Sequence, residues 1–182
     1  MSGFEFIFSL FGLLLGLALA EGLGGLARSI KASHKVRIGL PTALLGLFVS
    51  CDVVTFWMYG WSLREVLPLT WPVLFGGFVL AGLYYVSASL VFPDDPEEWG
   101  DLDRHFDKHS RKVLAGIFLC NVALLATVIA LRGVPPLDLR TVTLTWSFFP
   151  VALTAIAVKK RRVVIACLIW LIALYPLSAL WV

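Results

Sequence analysis

Residues 38–60 read IGLPTALLGLFVSCDVVTFWMYG, and Asp52 is the one charged side chain in the run. At 1.5 Å rise per residue, a helix of this length crosses a hydrocarbon core of about 30 Å. Five further apolar runs flank it, at about 4–27, 70–92, 113–132, 141–158 and 163–182. The composition agrees with this reading. Apolar residues make up 59 % of the 182-residue chain and charged residues 15 %, and mean hydropathy is +0.89. Soluble domains average roughly 45–50 % apolar and about 25 % charged. A soluble fold is excluded, and so is a disordered chain, which needs low hydrophobicity. The sequence predicts an all-α polytopic membrane protein of six transmembrane helices. Residues 1–182 form a single domain, because no loop is long enough for a separate one.

The first run ends in Ala18-Leu19-Ala20, which imitates a signal-peptidase site. A signal peptide opens with a basic segment, whereas residues 1–8 carry Glu5 and no Lys or Arg. The expectation is a retained helix. Orientation follows from the basic residues. The loop after the first run holds Arg28, Lys31, Lys35 and Arg37. The loop after the third holds Arg104, Lys108, Arg111 and Lys112, and the loop after the fifth is Lys159-Lys160-Arg161-Arg162. Only Arg64, Arg132 and Arg140 fall at the other side. Positive residues stay inside, so three hairpins turn in the cytoplasm and both termini lie on the outer, periplasmic side. Trp57, Trp61, Trp71 and Trp181 then anchor the outer interface and Trp99 the inner one. Short loops without a large exported domain suit a bacterial inner (plasma) membrane.

Helices in lipid associate through close packing, which small residues permit. Gly12, Gly16, Ala20 and Gly24 form such a stripe on the first span, and Gly77, Ala81 and Ser89 a weaker one on the third. They predict helix contacts within the bundle or a homo-oligomer seam. The sixth span lacks glycine and is rich in Leu, Ile and Val, which predicts a peripheral, lipid-facing helix. Cys51, Cys120 and Cys167 lie inside apolar runs and read as small hydrophobic fillers.

An ionisable group inside a bilayer is costly and points to function. Asp52 lies near the middle of the second span and Glu21 within the first. No Lys or Arg shares the depth of Asp52, so that acid needs a proton, a hydrated cavity or polar neighbours. Asn121 in the fourth span and Tyr84 in the third are candidate neighbours. Asp52, Glu21, Asn121 and Tyr84 form the candidate transport or proton site. The structural alternative is an acid that joins helices by hydrogen bonds, and Glu21 alternatively bonds to Arg28.

The segment 93–112 carries the informative polar residues. Asp95 as N-cap, Pro96 at the first helical position and Glu98 two residues on predict a helix start. Trp99, Leu102, Phe106 and Val113 then share one side, which predicts a short amphipathic cytoplasmic helix over 96–111 on the membrane surface. Asp101, His105 and His109 are spaced four apart, so they form a weak candidate metal set or a pH-sensing face. A straight helix separates Asp101 from His109 by about 12 Å of rise, too far for one ion.

Walker, Rossmann, nucleophile-elbow and zincin motifs are absent. No histidine lies within a span to ligate haem, and no cofactor is expected. The basic residues are split among loops, which argues against nucleic acid as a partner. The expected partners are membrane lipids and a second copy or another membrane protein. The leading function is a small ion or proton channel or transporter that uses intramembrane carboxylates. A non-catalytic protein that stabilises a larger membrane complex ranks second. A membrane enzyme using the Asp101/His105/His109 face ranks third.

Overall fold

The computed structural model describes residues 3–68 and 70–181, with side chains from residue 8 onward; Val182, the end of the sixth predicted span, lies outside the described residues. Helices dominate and no strand occurs among the described residues. Six stretches are long and apolar enough to cross a membrane, as expected for an integral membrane protein. They comprise α1 (Gly3–Lys31), α2 (Leu40–Ser62), α3 (Trp71–Ser89), α4 (Leu102–Arg132), a composite fifth stretch, and α7 (Arg161–Leu180). The fifth is built from α5 (Leu139–Thr141), a π-helical turn (Val142–Trp146) and α6 (Phe148–Ala157).

Local chemistry sets the boundaries. Pro41 and Pro72 sit in the first turns of α2 and α3, where a missing N–H removes no helical bond. Asp101 caps α4 by accepting a hydrogen bond from the Asp103 amide at 2.9 Å. Gly133, at φ 86°, ends that helix in a conformation that disfavours side chains.

α1 packs on α3 and α2, α4 lies against α2, α3 and α6, and α7 fits between α2 and α6. The buried core joins Phe48, Val53, Tyr84, Leu114, Ile117, Cys120, Phe148 and Leu171. The expectation for the sixth span holds for one face only. Ile169, Trp170 and Leu180 of α7 are exposed, whereas Leu168 and Leu171 are fully buried, because branched apolar side chains fill this interface without glycine. The first small-residue stripe is an internal contact only in part: Gly12 lies against the Trp57 indole of α2, whereas a side chain at Gly16 would meet nothing within 4 Å and Ala20 is exposed. Leu15, Ala18 and Gly25 face the bundle instead, and the Phe92 ring lies where a Gly25 side chain would go.

The three basic loops meet at one end of the bundle, called below the basic end. The Arg37 amide donates to the Gly100 carbonyl and the Leu102 amide to the Arg37 carbonyl, both at 3.1 Å. Lys35 pairs with Glu97 at 2.7 Å. Arg161, at the start of α7, reaches Asp103 at 3.0 Å and Asp107 at 2.6 Å on α4. The Thr42 hydroxyl of α2 donates to the Leu102 carbonyl at 3.2 Å.

Residues 96–111 do not form the single surface helix that the sequence predicts. Asp95 does cap a turn, accepting from the Glu97 amide at 2.9 Å, but the turn is a 3-10 turn limited to Pro96–Glu98. Gly100 then adopts φ 61° and breaks the helix, and Asp101 starts α4 afresh. Leu102, Phe106 and Val113 are buried in the protein core, so the apolar stripe is an internal packing face.

Candidate functional site

Asp52 projects from α2 into the bundle and is 3 % exposed. Three side chains from three other helices donate to its carboxylate. The Tyr84 hydroxyl of α3 donates to Oδ2 at 2.6 Å. The Asn121 amide of α4 donates to the same oxygen at 2.9 Å, and also to the Ile117 carbonyl at 3.1 Å. The Tyr175 hydroxyl of α7 donates to Oδ1 at 2.8 Å. A carboxylate has about four acceptor positions, so this cluster occupies three and leaves one. Low surrounding polarity strengthens such bonds. Asp52 thus ties four helices together.

A cavity of about 400 Å³ opens beside the cluster. Asp52, Asn121 and Tyr175 border it, and Tyr84 does not. α2 contributes Asp52 to Tyr59, α4 Asn121 to Val128, and α7 Leu171 to Ser178. Each interval spans two helical turns, or about 10 Å of rise. Asp52 and Asn121 mark the floor, while Tyr59, Pro135, Arg140 and Ser178 mark the mouth at the end away from the basic loops. Below the floor, Leu45 and Phe48 of α2, Leu114 and Ile117 of α4 and Leu168 of α7 are fully buried. The cavity is partly open, and the side chains beneath Asp52 are packed.

The wall between α4 and α7 comes from the composite fifth stretch. Arg140, Thr141, Leu144, Thr145, Phe148 and Phe149 all face the cavity. π turns are rare and concentrate at functional sites. Ser147 closes this one, donating to the Thr143 carbonyl at 2.5 Å and accepting from the Trp170 indole at 3.1 Å. At the mouth, Asp138 caps α5. Hydrogen bonds from Thr141 hold its carboxyl below the usual range, the Thr141 amide lying 3.2 Å away. Arg132 and Arg64 near the same end have partners: Arg132 donates to the Ser62 carbonyl at 2.6 Å and Arg64 pairs with Glu65 at 3.1 Å. Arg140 forms no ion pair among the described residues.

The structure therefore brings Asp52, Asn121 and Tyr84 together. Glu21 lies apart on α1, paired with Arg28 at 3.1 Å and part-exposed. Tyr175 and Arg140 are the site residues that the sequence did not single out. A tyrosine near a span's end reads as an interfacial anchor, and Pro176 inside α7 was the one local hint of irregularity.

The histidines of this face contact backbone carbonyls and each other. The His105 Nε2 contacts the Leu90 carbonyl at 3.0 Å, so it carries the proton, and the buried Nδ1 has no hydrogen-bond partner. His109 donates from Nδ1 to the His105 carbonyl at 3.2 Å. The rings stack at 4.2 Å between centroids, with Trp99 edge-on to His105 at 4.9 Å. Asp101 is engaged as the cap of α4. No group of three His, Cys, Asp or Glu able to share a metal ion occurs among the described residues.

No protein-family model matches the chain, and comparison with curated proteins and with solved structures returns no match.

Proposed function

We propose that the protein is a small membrane carrier that receives its solute through the open mouth and binds it at Asp52. The observation that carries this reading is the partly open cavity beside a single buried acid, with a packed layer of side chains beneath it. A channel needs a continuous path, whereas the packed layer below Asp52 fits one state of an alternating-access cycle. By the positive-inside rule the basic end is cytoplasmic, so the cavity faces outward in a bacterial inner membrane. The acid and the solute's cationic group, or a proton, compete for the same carboxylate, which is a route to coupling.

Purified protein in liposomes holding a trapped pH-sensitive dye provides the test. Under an imposed gradient, proton flux above that of empty liposomes, lost in Asp52→Asn, supports the carrier. Equal flux in the wild type and Asp52→Asn overturns it. The role then moves to association with a larger membrane complex, which the exposed Gly16 and Ala20 would serve.

A further inference from the structure

The cavity has two charged lining residues, and they sit at opposite ends. Asp52 is on the floor, with one acceptor position left after its three donors, and Arg140 is at the mouth. Between them the walls are largely apolar and aromatic, with the hydroxyls of Thr55, Thr141, Thr145 and Tyr175 interspersed and those of Tyr59 and Ser178 near the mouth. A simple cation must first pass the guanidinium, which repels it. A simple anion is held at the mouth and rejected by the floor.

From this polarity we infer that the ligand is a bipolar organic solute: an ammonium group at Asp52 and a carboxylate or similar anion at Arg140. The inference rests on the carrier reading only for the direction of entry. The ammonium takes the free acceptor position of Asp52 and the faces of Phe148, Phe149 and Tyr175, since aromatic rings attract cations. The anion takes the planar fork of Arg140, which suits carboxylates. The two-turn depth of about 10 Å, shortened by the reach of the arginine, sets the charge separation. This selects an extended molecule over a compact α-amino acid. The volume of about 400 Å³ lies in the range of small-molecule pockets, about 300–1,000 Å³.

Calorimetric titration of the full chain in lipid nanodiscs tests the inference without requiring transport. The probes are straight-chain ω-amino acids of roughly three to eight carbons, with the alkylamine and the alkanoate of each length. The expected result is a length optimum in the upper half of the series. The optimal zwitterion should bind at least about tenfold tighter than either single-charge analogue, about 1.4 kcal/mol by the standard conversion. Arg140→Gln should lower the zwitterion to the level of the amine, and Asp52→Asn to that of the alkanoate. Arg64→Gln, outside the cavity, should change nothing. If Asp52→Asn does not fold, the analogue series and Arg140→Gln still decide. Equal binding of amine and zwitterion, an unaffected Arg140→Gln, or no binding by any probe to folded protein overturns the inference. Two-charge recognition without flux would refute the carrier and leave the bipolar ligand standing. Flux without two-charge recognition would do the reverse.

Discussion

Asp103 occupies the space in which any side chain at Gly39 would lie. Gly39 has an ordinary extended backbone, φ −77° and ψ 155°, so its requirement is for room and not for an unusual conformation. Its neighbour holds Arg161 across the basic end. Helices α2, α4 and α7 all begin there, and the partial positive charge of each N-terminus favours an acid among them. Gly39→Ala should destabilise the protein by about 1–3 kcal/mol, the usual range for overpacking. The same change should cost much less in an Asp103→Ala background. A double-mutant cycle by denaturation in detergent measures the coupling, and additive costs would refute the contact.

Tyr84 and Tyr175 both donate to Asp52 but differ in their surroundings. Tyr84 is fully buried away from the cavity, whereas Tyr175 borders it. Tyr84→Phe leaves an acceptor short of a partner in a dry place, at about 1–3 kcal/mol. Tyr175→Phe should cost less, because water in the cavity replaces the hydroxyl. Thermal unfolding of the two variants should rank them in that order.

At Asp52 itself, Asn keeps the shape and an acceptor oxygen, so Asp52→Asn should fold with the wild-type helical signal and lose flux. Leu is comparable in bulk but leaves Tyr84, Asn121 and Tyr175 without their common acceptor. Asp52→Leu should therefore fail to yield folded protein, each stranded group costing about 1–3 kcal/mol. Yield of monodisperse protein and circular dichroism check both. An Asp52→Leu variant as stable as the wild type would show that the carboxylate does not organise the four helices.

The Asp138 cap predicts a pH effect at the mouth. Its folded pKa lies below the unfolded one. Its contribution is therefore fully present above the ordinary carboxylate range and is lost as pH falls through the lowered value. Asp138→Asn should retain a cap without that dependence. NMR of the Thr141 amide on acidification should show the hydrogen bond released in the wild type and unchanged in Asp138→Asn.

The six spans were legible because length and apolar content are properties of each segment alone. Asp52, Asn121 and Tyr84 were legible because polar groups are rare in such segments and must find one another. Other features depend on relations that a single sequence does not display. Tyr175 has an apolar body and a polar tip, so its position suits an interface as well as a buried hydrogen bond. α7 read as peripheral because its Leu, Ile and Val suit lipid and protein interior alike. The helix expected over 96–111 divides because Gly100 takes a left-handed conformation and Asp101 offers a second cap. The helical periodicity is continuous across that break and conceals it.

The π turn at Val142–Trp146 decides how broad the cavity wall is. On a regular α-helix, residues eight apart are rotated by about 80° from one another. Arg140 would then point well away from Phe148, and Thr141 from Phe149. A π turn takes more residues per revolution, so side chains four apart stay nearly in register. Two parallel columns result: Arg140, Leu144 and Phe148 beside Thr141, Thr145 and Phe149. The wall is a panel two side chains wide where an α-helix would present a ridge. Removing one residue from this turn would restore the ridge and swing the guanidinium off the entrance while leaving the carboxylate below untouched.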